Sequence, residues 1–109
     1  MDVSTFEQVV IEDSKITEYL LNIHHPEGGI KAEYFLQHGF DIEKPEEFRQ
    51  ILLEHLQQHS PTLKETKFGT KYIINGKIKS PDGNELMLRS VWMKSTKENI
   101  LKFVTAYPI

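Results

Sequence analysis

Apolar residues recur at helical spacing through the first sixty positions of the chain, which indicates a helical N-terminal part. The spacing predicts a first helix over residues 14–22 and a second from residue 29 or 30 to 38, with Gly39 as its left-handed stop. A third helix is predicted from Pro45 to the Ser60-Pro61 pair. The residues predicted to face the core are Ile16, Tyr19, Leu20 and Ile23 in the first helix, and Phe48, Ile51, Leu52 and Leu56 in the third.

The pattern changes to β-forming segments after residue 60. Three segments rich in β-branched and aromatic residues are separated by short turns, of which Ser80-Pro-Asp-Gly-Asn84 is the clearest. Turns this short require antiparallel neighbours. The predicted strands span residues 71–79, 85–94 and 100–107.

Two further segments have weaker signals. A short strand near Thr66 would add a fourth strand, and residues 6–11 form either a short strand or an arm laid over the core. The chain is therefore predicted to be one α+β domain over residues 1–109. In this fold about three helices are followed by an antiparallel meander of three to four strands.

Composition agrees with a globular domain and removes several classes of site. Of the 109 residues, 39% are hydrophobic and 27% are charged, as in ordinary globular proteins. There is no cysteine, which excludes disulfides, thiolate metal sites and cysteine nucleophiles. No apolar run approaches the roughly 20 residues that span a bilayer, and the acidic start lacks the basic region of a signal peptide. We therefore expect a cytoplasmic protein with no membrane partner.

Charge is divided along the chain. Residues 1–60 hold twelve acidic and four basic side chains, whereas residues 61–109 hold four acidic and nine basic ones. This asymmetry is typical of a polyanion-binding face, although lysines also discourage edge-to-edge pairing of strands. The lysines predicted to share one strand face are Lys67, Lys71, Lys77 and Lys79.

The loop from His25 to Lys31 is the first candidate site. If a helix begins at residue 29 or 30, its free N–H groups, the Lys31 ammonium and the His25 imidazole together suit an anionic oxygen such as an RNA phosphate. Histidine also titrates in the range used for proton transfer. The alternative is that the glycines simply make a tight turn and Lys31 is solvated.

His55 and His59 are separated by one helical turn, which is a spacing that can chelate zinc. Leu56 occupies the place where the zinc-protease motif needs glutamate, and nothing nominates a third ligand. His55 also falls on the core-facing stripe, which favours a partly buried, hydrogen-bonded histidine. We predict no metal and no cofactor.

The strands contribute a second group of candidates. Arginine binds phosphate in a bidentate manner, and threonine and tyrosine hydroxyls can donate to a phosphate or to a developing oxyanion. The predicted strands contain one candidate of each type, namely Arg89, Thr105 and Tyr107. Threonine and tyrosine are, however, also ordinary strand residues. Alternation predicts that one face of the last strand is shared by Leu101, Phe103, Thr105 and Tyr107.

Several motifs resemble a widespread bacterial family known only as a domain of unknown function. They cover almost the whole chain, and the family implies no activity. The motifs are Ile16-Thr-Glu-Tyr-Leu-Leu-Asn22, His25-Pro-Glu-Gly-Gly-Ile-Lys-Ala-Glu-Tyr-Phe35, Phe68-Gly-Thr-Lys-Tyr72, Gly76 with Ser80-Pro-Asp-Gly83, Val91-Trp92 and Val104-Thr-Ala-Tyr-Pro108.

A more remote resemblance is to the small toxin ribonucleases of the barnase, EndoU, colicin and RelE group. It is carried by helices followed by a sheet, a lysine near the start of an early helix, and a last strand ending Thr-Ala-Tyr-Pro. The resemblance implies metal-independent RNA cleavage. It nominates Lys31, Thr105 and Tyr107, with His25 and Arg89 as additions, while the sheet half lacks the second histidine that several of those enzymes use.

Two hypotheses follow from these observations. In the first, the chain is a ribonuclease-like toxin domain whose partners are RNA and a cognate antitoxin-like protein. In the second, it is a noncatalytic module in which the acidic helical part or an exposed sheet edge engages a partner protein. A zinc hydrolase ranks below both.

Overall fold

The computed structural model describes residues 1–26 and 29–109, and the helical and strand-rich parts follow each other as the sequence predicts. A short helix, α1, continues directly into a π-helical segment, and two longer helices follow before most of the sheet. Among the described residues, no helix is both long enough and apolar enough to cross a membrane. The elements are β1 (Gln8–Val10), α1 (Asp13–Lys15), the π segment (Ile16–Leu20), α2 (Gly29–Gln37), α3 (Pro45–Gln58), β2 (Pro61–Thr66), β3 (Gly69–Lys79), β4 (Glu85–Ser95) and β5 (Ile100–Pro108).

The described sheet has five strands in the order β1-β5-β4-β3-β2, so the predicted meander of three to four antiparallel strands is wrong. The four C-terminal strands are antiparallel neighbours, but β1 pairs in parallel with β5, with Gln8 opposite Ile100. A parallel pair needs a long connection, and the helices between β1 and the rest of the sheet supply it. The three residues of β1 are too few to show a strand period, which is why the sequence left an arm open as an alternative.

The first helical segment buries a different set of residues from the predicted stripe. The Leu21 N–H donates to the Ile16 carbonyl over 2.9 Å, which is the five-residue spacing of a π-helix. The wider turn shifts the phase of the side chains, so that Leu21 is 2% exposed. Ile23, which the prediction placed in the core, is 47% exposed. The sequence pattern missed this because it assumes a uniform α-helical period and continues the helix to residue 22, whereas the π segment ends at Leu20 and leaves Ile23 outside the helix.

Helix α3 packs against strands β3 and β4 and agrees closely with its prediction. Pro45 lies in the first turn, where a missing N–H costs nothing, and the acidic residues after it complement the positive end of the helix. Phe48, Leu52 and Leu56 are buried, while Ile51 is partly buried against the same core.

The two faces of the sheet differ in burial. Ile74, Ile78 and Leu88 are buried on the face that α3 covers, which is called the helix face here. Asn75 and Lys77 alternate with these residues and are exposed, so they define the opposite face, called the open face. The predicted lysine face is the open face, except that Lys67 lies in the β2–β3 turn rather than on the strand. The strand residues of this predicted set are Lys71, Lys77 and Lys79.

A β-bulge divides strand β5. Trp92 is opposite Phe103, but the preceding residue Val91 is opposite Thr105, so that Val104 is the extra residue. The bulge reverses the alternation after it, because one inserted residue moves the following side chains to the other face. Leu101 and Phe103 are therefore buried on the helix face, whereas Thr105 and Tyr107 share the open face with Arg89. The prediction that these four β5 residues share a face is wrong for this reason.

His55 forms a buried hydrogen-bond network between α3 and the sheet. His55 is only 1% exposed. Its Nε2 lies 3.2 Å from the carbonyl oxygen of Gly76 and 3.1 Å from that of Leu88. Because both of these atoms accept, Nε2 must carry the proton. The Ser90 hydroxyl receives the indole N–H of Trp92 and lies 2.8 Å from His55 Nδ1, to which it donates. His55 is thus a neutral structural histidine. It has the hydrogen bonds that the sequence interpretation favoured, but it is fully rather than partly buried.

We expect acid to destabilise the fold through His55. Burial lowers the pKa of His55 below its ordinary value of 6.5, the neighbouring His59 lowers it further, and the carbonyl contacts only partly oppose this. Below pH 6.5 the unfolded chain therefore binds a proton at His55 more readily than the folded chain does. The stability contributed by neutral His55 is thus complete above that pH and declines below it. The free energy of unfolding, measured by urea denaturation at a series of pH values, should fall as the pH drops from about 7 to about 5.

The matched control is His55→Gln, which keeps polar atoms in the position and does not titrate. This variant should be less stable than the original at neutral pH, and its stability should depend less on pH over the same interval. Equal pH dependence in the two proteins would show that His55 is not the group responsible.

Candidate functional site

Arg89 and Tyr107 are directly opposite each other on strands β4 and β5. Arg89 Nη1 lies 3.5 Å from the Tyr107 hydroxyl oxygen, and the guanidinium carbon lies 5.8 Å from the centre of the tyrosine ring. On its other side, Arg89 is opposite Asn75 of β3, and its Nε donates a hydrogen bond of 2.7 Å to the Asn75 side-chain oxygen. Three neighbouring strands therefore each contribute one side chain to a polar row on the open face.

Lys31 brings helix α2 to the end of this row. Its Nζ lies 5.1 Å from the centre of the Tyr107 ring and 5.5 Å from the centre of the Tyr19 ring, and it donates a hydrogen bond of 3.3 Å to the Tyr19 hydroxyl. An ammonium group beside two aromatic rings is attracted by both of them. The start of α2 and the last strand are thus in contact through Lys31 and Tyr107.

His25 joins the same group of residues through Tyr19. The imidazole and phenol rings meet edge to face, with their centres 4.7 Å apart. The backbone also holds this position, since His25 N–H donates to the Asn22 carbonyl and its own carbonyl accepts from Gly29 N–H. Two residues of the predicted anion-binding loop, Glu27 and Gly28, lie outside the described residues. The name seam cluster is used below for Tyr19, His25, Lys31, Arg89 and Tyr107.

Thr105 is on the same face of β5, two residues before Tyr107. Its hydroxyl oxygen is buried and has no hydrogen-bond partner among the described residues. The residue across from it on β4 is Val91, which offers no polar group. An unpaired buried hydroxyl costs free energy, and an oxygen atom of a ligand could supply the missing hydrogen-bond partner.

Two residues of this arrangement were not nominated from the sequence. Tyr19 was assigned to an apolar helix stripe, where a tyrosine is indistinguishable from a core residue. Asn75 was read as one position in a run of β-forming residues. The Ser80–Asn84 turn could have identified Asn75 from the sequence. Counting back along both strands of the hairpin from this turn places Asn75 opposite Arg89.

The seam cluster is suited to an anion. Neither Lys31 nor Arg89 forms an ion pair with a carboxylate in the part of the chain that the structure describes. The tyrosine hydroxyls and the imidazole of His25 nearby can donate or accept hydrogen bonds. Paired cations with hydroxyl donors match a phosphate group, with arginine supplying geometry and lysine a point charge.

The histidine pair of α3 is arranged differently from a metal site. Both ring nitrogens of His55 are engaged in the buried network, and the Nε2 of His59 lies 3.1 Å from the Lys77 carbonyl oxygen. Within residues 1–26 and 29–109, no three histidine, aspartate or glutamate side chains lie close enough together to hold a metal ion.

Comparison with known sequences identifies a family. Residues 3–109 match the family described as "Domain of unknown function (DUF6883)". No functionally curated protein matches the chain. The family description carries no activity.

Comparison of folds identifies a structural neighbour. The chain is similar to one chain of the structure described as "Contact-dependent growth inhibition toxin - immunity protein complex from Klebsiella pneumoniae 342", with a TM-score of 0.71. The similarity covers 92% of this chain and 99% of that chain, with 15% sequence identity. At this identity, the similarity shows a shared fold.

Thr105→Val tests whether the Thr105 hydroxyl has a structural role. Valine keeps the shape of threonine and removes the hydroxyl that has no partner, so we expect the free energy of unfolding to stay unchanged or to rise by about 1 kcal/mol. Chemical denaturation of the purified variant measures this change.

Ser90→Ala provides the matched comparison, since the Ser90 hydroxyl is buried and hydrogen-bonded to both His55 and Trp92. Its loss should destabilise the fold by about 1–3 kcal/mol. If Thr105→Val destabilises the protein as much as Ser90→Ala does, the Thr105 hydroxyl contributes to folding and its unpaired state is refuted.

Proposed function

The chain belongs to the DUF6883 family of domains of unknown function, and we propose that it is a ribonuclease-like toxin domain that cleaves RNA without a metal ion. In this proposal Lys31 and Arg89 bind the scissile phosphate, His25 transfers a proton, and Thr105 and Tyr107 position the phosphate oxygens. The reaction takes place in the cytoplasm, where cellular RNA is found.

The observation that carries the proposal is the contact between Lys31 and Tyr107. These residues are 76 positions apart in the chain, yet the Lys31 ammonium lies 5.1 Å from the Tyr107 ring, which Arg89 borders from the neighbouring strand. Two cations at one phenol, neither of them paired with a carboxylate of the described residues, create a positive potential in a partly buried position. Such a potential stabilises charge that develops on a phosphate in a transition state.

The groups of the seam cluster fit cleavage by the RNA's own 2′-hydroxyl. His25 accepts the proton of this 2′-hydroxyl. The 2′ oxygen then forms a bond to phosphorus, and the bond from phosphorus to the 5′ oxygen breaks. The departing 5′ oxygen takes a proton from the Tyr107 hydroxyl, and Lys31 keeps its proton and its charge. The extra negative charge of the five-coordinate phosphorus is balanced by Lys31 and Arg89. The products are a 2′,3′-cyclic phosphate and a 5′-hydroxyl end.

The shared fold supports a role in a toxin and immunity protein pair, and with it a protein partner. The similar solved structure is described as a toxin and immunity protein complex, so this fold occurs in a protein that forms a complex with a second protein. The same observation favours the second candidate function, a noncatalytic interaction module, because each member of such a complex must present a docking surface. Catalysis is what separates the two functions.

Purified protein should cleave single-stranded RNA, tRNA or mRNA in the presence of a metal chelator and leave cyclic phosphate ends. Lys31→Gln and Arg89→Gln should each lower the cleavage rate by roughly 100- to 1000-fold, because each removes one charge that stabilises the transition state. Gel electrophoresis of end-labelled RNA gives the rates, and circular dichroism confirms that the variants are folded.

Lys44→Gln is the control, since Lys44 is exposed at the start of α3 and should have no effect. Intact RNA after incubation with the wild-type protein, together with unimpaired growth of cells that express it, would refute the ribonuclease and favour the interaction module. Cleavage that persists in the Lys31 and Arg89 variants would retain the reaction class but refute this site.

A further inference from the structure

A line of lysines crosses the open face of the sheet. Lys64 of β2 is directly opposite Lys71 of β3. Lys71 is opposite Met93 of β4, which is in turn opposite Lys102 of β5. Residues directly opposite each other in antiparallel strands point to the same face, so four strands place three ammonium groups in one line. The name lysine row is used for Lys64, Lys71 and Lys102.

The fold gains nothing from this arrangement. Like charges directly opposite each other destabilise a strand pair, as Lys64 and Lys71 do here. No member of the lysine row forms an ion pair with a residue in the described ranges. On the same face, by contrast, Lys77 lies 3.5 Å from a carboxylate oxygen of Glu85.

Protection of sheet edges does not account for the row. Lysines on an edge strand prevent pairing with other chains, and this explanation suits Lys64 on the edge strand β2. Lys71, however, is on β3, which has a neighbour on each side, and Lys102 of β5 is paired with Val10 and with Met93. Two of the three charges therefore lie where there is no edge to protect.

The lysine row and the seam cluster share the open face and lie a short distance apart along the strands. Lys71 precedes Asn75 by four residues on β3, and Asn75 is opposite Arg89. At about 3.3 Å per residue, the two rows are roughly 13 Å apart. Between them runs a row of Ile73, Val91 and Thr105, which is apolar except for the unpaired Thr105 hydroxyl.

We infer that the lysine row binds the backbone of the same RNA strand, a few nucleotides from the phosphate held at the seam cluster. This inference rests on the proposed function and adds to it the path of the substrate across the open face. An RNA strand is favoured over an acidic protein because the row shares one face of the sheet with a cluster that suits a single phosphate. The separation of the rows corresponds to more than one nucleotide step of an extended strand.

The test is the affinity of the triple variant Lys64→Gln/Lys71→Gln/Lys102→Gln for a single-stranded oligonucleotide with 2′-O-methyl groups throughout. This probe has no free 2′-hydroxyl, so binding is measured without cleavage, by fluorescence anisotropy over a range of salt concentrations. Three lost phosphate contacts should weaken binding on the order of 100-fold at about 0.1 M salt. The slope of log affinity against log salt should become shallower by about 2.

Two matched variants complete the experiment. The triple variant Lys44→Gln/Lys67→Gln/Lys97→Gln removes the same charge from exposed positions outside the row and should keep most of the affinity and the wild-type slope. Replacing the three row lysines by arginine keeps the charge and should preserve binding. Thermal unfolding should show that the glutamine row variant is as stable as the wild type or more stable, because the Lys64–Lys71 repulsion has been removed.

The outcomes separate this inference from the proposed function. Loss of affinity confined to the row variant, with the reduced salt slope, supports the inference even if the protein cleaves no RNA. Equal affinity of the row variant and the wild type overturns it even if RNA is cleaved. It is also overturned if both triple variants lose affinity equally, or if the wild-type protein binds an acidic protein and no RNA.

Discussion

The pairing of strands β4 and β5 around the bulge at Val104 is the constraint on which the rest of the candidate site depends. Before the bulge, β5 directs Leu101 and Phe103 into the core beneath the helices. After it, the same strand directs Thr105 and Tyr107 to the open face, beside Arg89. Without the extra residue, the hydrophobic pattern that anchors the start of β5 would turn Tyr107 towards the core. Because of one inserted residue, a single strand contributes side chains both to the core and to the candidate site.

The helical part completes the site from the other side. The start of α2 brings Lys31 to the Tyr107 ring, where Arg89 of β4 also lies. Tyr19 of the π segment joins this group through its contact with Lys31. The buried network of His55 holds α3 to the opposite face of the same strands. The two faces of the sheet therefore have separate roles. One face packs against the core, and the other exposes positive charge. At Lys31 and Arg89, no carboxylate of the described residues neutralises this charge.

The elements that the sequence predicts correctly are those that local chemistry decides. Pro45 and the apolar spacing after it predict α3, and the Ser80–Asn84 turn predicts the β3–β4 hairpin, because both signals act within a few residues. The predictions are wrong where the backbone departs from a regular period. The π segment and the bulge each insert one residue into a repeating pattern, and each changes which side chains are buried. The parallel strand β1 was undecided because three residues carry too little pattern.

By itself, the sequence determined the division into a helical and a strand-rich part, the unequal distribution of charge, and the residue types available for binding an anion. The nomination of Lys31, Arg89 and Tyr107 also came from the sequence, but only as separate positions with suitable chemistry. The tertiary structure decided that these three side chains meet, that Tyr19 joins them, and that lysines from three strands form one row. The reason is physical: contacts between distant positions depend on strand register and on how helices pack, and a single residue of backbone irregularity changes both.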